Sequence, residues 1–288
     1  MCVILSTVPK VRFFVNKYVN LFYHLSVLFS EYFPDEESQG FLNNSAYRKT
    51  HAALKTEKLH ELFQSLQEHA FYTWDFVGKS LFQVSTAILV EKSLRNTAQM
   101  LAEVWLKIYS EALNSYEDIW AQTEPKLKEY AEKFGLEWNC VNEPVLSKLA
   151  DVARCSWEQK YVNAHLVDCL YGASAWVKDV AVPPFPDFDV EKKLLAHELA
   201  HTLVPDYFLK AKLQNLGLDL GVSHTIVDLI AYFGVREHVT NLERRGIKPT
   251  PDYYMDVDLL YPLFDDCDGH PEKYQSLDDI LKRIVKGH

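Results

Sequence analysis

The chain is poor in the cysteine patterns that define small folds. It has five cysteines, an odd number, and none are in a Cys-x-x-Cys spacing. That argues against a disulfide framework and against a thiolate zinc site. It fits free thiols in a reducing compartment. Positive charge is also scarce: 30 Lys and Arg stand against 40 Asp and Glu, a formal net charge of -10. Phosphate contact needs clustered cations, and the Arg244-Arg245 pair is too short to supply them, so no nucleic-acid partner is expected. No Gly-rich phosphate loop and no Ser or Cys nucleophile motif is present.

Long apolar runs are missing as well. Val11 to Phe33 is rich in Phe, Val, Leu and Tyr but is interrupted by Arg12, Asn16, Lys17, Asn20 and His24. A membrane span needs about 20 mainly apolar residues, so an amphipathic helix facing a core is the better reading and no stable membrane insertion is expected. The apolar start Val3 to Leu5 is short and lacks a basic leader, so a cytoplasmic location is expected. Apolar material is nevertheless ample. Hydrophobic residues make up 48 % of 288, with sixteen Tyr, sixteen Phe and six Trp, enough for a large core.

The first half reads as helical. Val11 to Tyr32 has helical spacing and stops at Pro34, and residues 46 to about 90 carry Leu54, Leu59, Leu62, Phe63 and Leu66 on one face. Residues 91 to 134 form another helical stretch, interrupted near Pro125 and closed by Gly135 as a C-cap. Trp74, Phe76, Trp105, Tyr109 and Trp120 are most simply core packing. Asn139 to Pro144 is the best boundary, giving a helical region 1–140 and a second domain 141–288. Beyond it, Tyr161 to Leu170 and Ala173 to Val182 read as two strands of a hairpin. After the break at Pro183-Pro184-Phe185-Pro186, Asp187 or Asp189 caps a new helix, with Pro205 just past its end. A further helix is expected from near Ser223 to Arg245, and Ser276 with Asp279 outlines a capping box for a last one, stopped by Gly287.

The segment His197-Glu198-Leu199-Ala200-His201 carries the chemistry. Two histidines four apart on a helix share a face one turn apart and can bind one metal ion. Zinc accepts neutral imidazole nitrogen and prefers four ligands. Glu198 is too close along the helix to be a comfortable third ligand, but is well placed as general base toward a water that the metal acidifies. Leu194, Leu195, Leu199 and Leu203 would bury such a helix and hold the histidines rigidly. The metzincin extension is absent, since Val204 and Tyr207 stand where it needs Gly and His. No Glu occurs between His201 and Glu237.

Ser223-His224-Thr225-Ile226-Val227-Asp228 resembles the third-ligand helix of the gluzincin metallopeptidases, which carries Asn-Glu-x-x-x-Asp. His224 stands in place of the zinc-binding Glu, and Asp228 aligns with the Asp that braces a histidine ligand. Three histidines are an accepted catalytic zinc set. The resemblance covers roughly residues 190 to 245. It implies a zincin-like peptidase acting on a peptide or protein, with one Zn2+ per chain on His197, His201 and His224, Glu198 as base, and Asp228 holding the tautomer of His197. Asp228 could instead be the third ligand itself, with Asp219 and Glu237 as more distant options. Tyr232, Arg236, His238, Tyr253 and Tyr254 are candidate donors to a developing oxyanion.

Other signals carry less. Asp265-Asp266-Cys267-Asp268-Gly269 has a calcium-loop look, but with Gly269 at the sixth position the first and twelfth hold Phe264 and Gln275, so it reads as a solvated acidic turn. Asn43-Asn44-Ser45 matches a glycosylation acceptor that a cytoplasmic chain would not use. His24, His51, His60, His69, His270 and His288 lack metal spacing, and His165 reads as a core or edge strand residue. The expected architecture is α+β and predominantly helical: a zincin-like core with a small β-sheet, a metal-binding helix and a third-ligand helix. Two rival functions stay open: another His-ligated metalloenzyme using iron or manganese, and a non-catalytic helical interaction protein with a structural or vestigial metal.

Overall fold

The structure is a computed structural model. It describes residues 8–32, 52–69, 92–169, 174–175, 179–239 and 257–286. The elements in chain order are β1 (Lys10–Phe14), α1 (Lys17–Tyr32), α2 (Glu57–His69), α3 (Lys92–Ala153), β2 (Tyr161–Leu166), β3 (Ser174–Ala175), β4 (Asp179–Val182), α4 (Phe188–Leu203), α5 (Asp206–Asn215), α6 (Val222–Val235), α7 (Val257–Gly269) and α8 (Leu277–Lys286). The fold is α+β and predominantly helical, as expected. Among the described residues no helix is long and apolar enough to cross a membrane.

The chain divides into two compact units that interleave in sequence. One comprises Met1–Phe14, Tyr130–His165 and Gly172–His288; the other comprises Val15–Glu129 and Leu166–Tyr171. The expected boundary at Asn139 to Pro144 lies inside α3, whose 62 residues also run through Pro125 and Gly135. The reason is visible in its buried positions. Trp105, Ile108, Ala112, Tyr116 and Trp120, then Phe134, Trp138, Val145, Leu149 and Val152, keep helical spacing past each breaker. Burial of these side chains outweighs the local cost of proline and glycine within a helix. The helix ends at Arg154, whose φ of 52° is left-handed; its guanidinium donates to the Cys267 carbonyl at 3.0 Å.

In the unit containing the His-Glu motif, four strands form a sheet in the order β1-β2-β4-β3. Val11 to Phe14, expected as helix, is strand. β1 pairs in parallel with β2, with Val11 opposite Val162 and Phe13 opposite Ala164. Its alternation is real but short: Val11 is buried, Arg12 stacks 3.3 Å over the Tyr161 ring, and Phe13 meets Phe134 at 5.3 Å. Asn142 of α3 ties the strand down, accepting from the Val11 N–H and donating to the Pro9 carbonyl. Of the two segments expected as a hairpin, the first is β2 and the second holds β3 and β4, which pair antiparallel with each other, with β4 beside β2 in the sheet.

Helix α4 packs on β3, β4 and α6, and α6 packs on α7. Asp187 caps α4 by accepting from the Asp189 N–H at 3.0 Å. α6 ends at Val235 in a single tight turn, Arg236–His238, short of the expected Arg245, which lies outside the described residues. Asp265 to Gly269 is the last part of α7, not a turn. There Asp266 accepts from Lys273 and the Tyr274 hydroxyl, and half-buried Asp268 pairs with Lys148 and Arg236. Half of the expected capping box of α8 is present, with Asp279 N–H donating to Ser276 Oγ, while the Asp279 carboxylate accepts from the Gln275 N–H one residue before the cap.

The second unit holds α1, α2, the first part of α3 and residues 166–169. Asn16 caps α1 by accepting from the N–H groups of Tyr18 and Val19. Aromatic packing dominates its core: Phe22 meets Trp105 at 5.6 Å and Phe29 meets Phe63 at 5.5 Å. Leu54, Leu59 and Phe63 are buried as the sequence pattern expects. Trp74, Phe76, His51, Asn43 to Ser45, Gly287 and His288 lie outside the described residues.

Gly234 on α6 sets how closely that helix meets α3. A Cβ there would lie 2.3 Å from Leu149 Cδ2 and 2.9 Å from Leu149 Cγ, and Leu149 is fully buried. Helix propensity alone would make Gly234→Ala stabilising by about 1 kcal/mol. The overlap reverses the sign, and the expected loss is about 1–3 kcal/mol. Urea denaturation checks this, and a gain in stability would mean that α6 and α3 are not so closely packed.

Candidate functional site

Both motif histidines project from one face of α4, and His224 comes from the first turn of α6. The ligating atoms of His197, His201 and His224 all lie within 4.8 Å of one another. His197 Nε2 and His201 Nε2 are 3.2 Å apart, and the His224 ring stands 4.9 Å from that of His201 and 6.1 Å from that of His197. α4 is anchored by buried Leu195, Ala196, Leu199 and Ala200, and α6 by Ile226, Val227, Leu229 and Ile230. The three imidazoles therefore sit on rigid, packed helices.

Two carboxylates back the histidines from outside. Asp228 lies 3.3 Å from His197 Nδ1, and Asp206, the first residue of α5, lies 3.0 Å from His201 Nδ1. Each carboxylate stands on the Nδ1 side of its histidine, and the Nε2 atoms of His197 and His201 face one another in the cluster. Lys193, one turn before His197 on α4, lies 3.6 Å from Asp228. Burial works against the Asp228 carboxylate, but its hydrogen bond to His197 and the Lys193 charge hold it below the usual range. Asp206 behaves likewise: burial opposes ionisation, and the contact with His201 drives its carboxyl well down. Burial would also lower His197, yet the bond to Asp228 and the nearby Glu198 raise it. His224 has no such net help. Burial, then the charges of His201 and His197, hold it down to about 4 against the opposing pull of Asp206, so it is neutral at physiological pH.

Glu198 is 5 % exposed. Burial pushes its carboxyl up and Asp206 adds to that, while the charges of His197 and His201 pull it down. A dication among the histidines would favour the carboxylate further.

The donor set could hold a metal ion: three convergent imidazoles, two of them backed by carboxylates, with a buried acid beside them. Among the described residues, Asp228 does not join the three converging groups; its carboxylate lies behind His197. Asp219 is exposed and accepts from the Gly221 N–H, and Glu237 is exposed in the turn after α6. Tyr232 lies two turns along α6 from His224, its ring 5.3 Å from Phe233 and 5.9 Å from Tyr261. His238 is half-buried in that turn. Arg236 pairs with Asp268, and Tyr253 and Tyr254 lie outside the described residues. Asp206 and Lys193 join the site only through the tertiary structure. The available signal was an acid directly after Pro205 for the first, and helical spacing four before His197 for the second.

Early in α4 a different acid is buried. Glu191 is fully buried; one oxygen accepts from the Phe185 N–H at 3.1 Å, and the other has no hydrogen-bond partner. Burial raises it from the usual 4.5 to about 8. A carboxyl raised in the folded state favours folding most below its unfolded value. That contribution is lost as pH climbs from about 4.5 to about 8, a loss of up to a few kcal/mol. Glu191→Gln keeps an acceptor for Phe185 and removes the titration. Its denaturation midpoint is expected to exceed that of the parent chain near the upper end of this window and to match it near the lower end. Equal pH profiles would mean that Glu191 ionises normally.

No known protein family, curated protein or solved structure matches this chain.

Proposed function

We propose that this chain is a zinc-dependent hydrolase with a zincin-like core, acting on peptide bonds. The observation that carries it is the convergence of His197, His201 and His224 within 4.8 Å, with Asp228 and Asp206 behind two of them and Glu198 buried alongside. His197, His201 and His224 would hold the metal. A zinc ion there would supply a Lewis acid that polarises a carbonyl and lowers the pKa of water. Glu198 takes the proton from the attacking water and delivers it to the leaving amine. Asp228 and Asp206 keep the imidazoles in the tautomer that presents Nε2, and Lys193 keeps Asp228 ionised. The peptide substrate rests on the likeness of the motif and third-ligand segment to gluzincins, and the reaction class on the site itself.

Elemental mass spectrometry of the purified chain, followed by a peptide-library cleavage assay with and without chelator, tests the reading. Bound zinc with chelator-sensitive cleavage supports it. Stoichiometric iron or manganese would point to another His-ligated enzyme. Failure to take up any metal after reconstitution would sink the hydrolase.

A further inference from the structure

A second group of donors lies in the other unit, away from the motif in sequence. Asn20 and His24 stand one turn apart on α1, and both are buried. Asn20 donates to the Leu166 carbonyl at 2.9 Å and accepts from the Asp168 N–H at 3.0 Å. These two bonds latch the segment after β2 onto α1. The latch brings an Asp168 oxygen to 2.9 Å from His24 Nε2. With Cys169, the potential ligand atoms of all three residues lie within 4.8 Å of one another. His24 and Cys169 are each 1 % exposed. Tyr116 of α3 packs its ring 5.4 Å from the His24 ring, and its buried hydroxyl has no hydrogen-bond partner.

We propose that His24, Asp168 and Cys169 form a second transition-metal site, of the zinc class, that fastens the segment after β2 to α1. The donors decide the metal. Imidazole and thiolate are borderline-to-soft ligands that select zinc and its neighbours over magnesium or calcium. The charges balance, because one carboxylate and one thiolate neutralise a dication, with His24 and Cys169 buried and Asp168 partly exposed. On binding, the thiol proton is released to solvent past the partly exposed Asp168, and the Cys169 sulfur bonds the metal. Without a cation, burial and the adjacent Asp168 charge keep that thiol protonated. Zinc prefers four ligands, so a water would complete the set. The absence of any Cys-x-x-Cys spacing hides such a mixed site, since its histidine and cysteine stand 145 positions apart.

Cobalt separates this site from the three histidines. A thiolate bound to Co2+ adds a near-ultraviolet charge-transfer band, which imidazole ligands alone do not. Full-length protein stripped of metal would be titrated with Co2+ as the parent chain, as His197→Ala/His201→Ala and as Cys169→Ser. The expected result is that the double histidine variant keeps the band and about one metal per chain, whereas Cys169→Ser loses the band. Absence of the band in the double variant overturns the site, and so does its survival in Cys169→Ser. Should Cys169→Ser not fold, His24→Gln takes its place. Loss of the band at the cobalt concentration that saturates the parent supports the site, and its retention overturns it. Each result holds whether or not the three-histidine centre proves to be a hydrolase.

Discussion

Glu198→Gln is expected to lower peptide hydrolysis about 10²- to 10⁴-fold while leaving metal content unchanged. The substitution keeps the shape of the side chain and removes only its ability to accept a proton. His197, His201 and His224 are untouched, so the metal stays. The fold is expected to hold or gain stability, because Glu198 is buried and its carboxyl is already pushed up by that burial. The informative pattern is thus three readouts together: activity lost, zinc retained, melting temperature equal or higher. Activity that persists with zinc bound would remove Glu198 as the base. Loss of zinc together with activity would make Glu198 a ligand or a support for one.

His224→Ala has the next largest expected effect, and it falls on binding. Removing one of three imidazoles should weaken zinc by more than the roughly 10- to 100-fold typical of losing a ligand's outer partner. Zinc measured after dialysis should drop from about one per chain to a small fraction, and the thermal stabilisation by added zinc should shrink with it. Asp228→Asn and Asp206→Asn provide the graded comparison. Each removes a carboxylate behind one histidine and should cost about 10- to 100-fold in affinity. If His224→Ala kept full zinc while Asp228→Asn lost it, Asp228 would be the third ligand and the two side chains would exchange roles.

Local signals in this chain agree with the structure where neighbours in sequence make it. Asp187 caps the motif helix, Ser276 and Asp279 frame α8, and Pro205 follows α4, because caps and breakers act within one turn. The four-residue spacing of His197 and His201 likewise needs only a helix to put both rings on one face. Elsewhere packing overrules local chemistry. Pro125 and Gly135 looked like helix ends, yet α3 continues because aromatic and aliphatic side chains on both sides of them are buried. Val11 to Phe14 carried enough apolar residues to pass for helix, and becomes strand because β2 offers it a parallel partner distant in sequence.

The sequence by itself determined the chemistry that one helix can carry: two imidazoles and a carboxylate on a buried helical face, with a histidine and an aspartate spaced one turn apart on a later helix. Tertiary structure alone decided that these helices meet. It brings His224 among the motif histidines and places Asp228 behind His197. It also recruits Asp206 to His201, and draws His24 together with Asp168 and Cys169. Side-chain periodicity reports the face a residue occupies. Which faces come together depends on long-range burial and close approaches such as Gly234 against Leu149, and no local pattern encodes those.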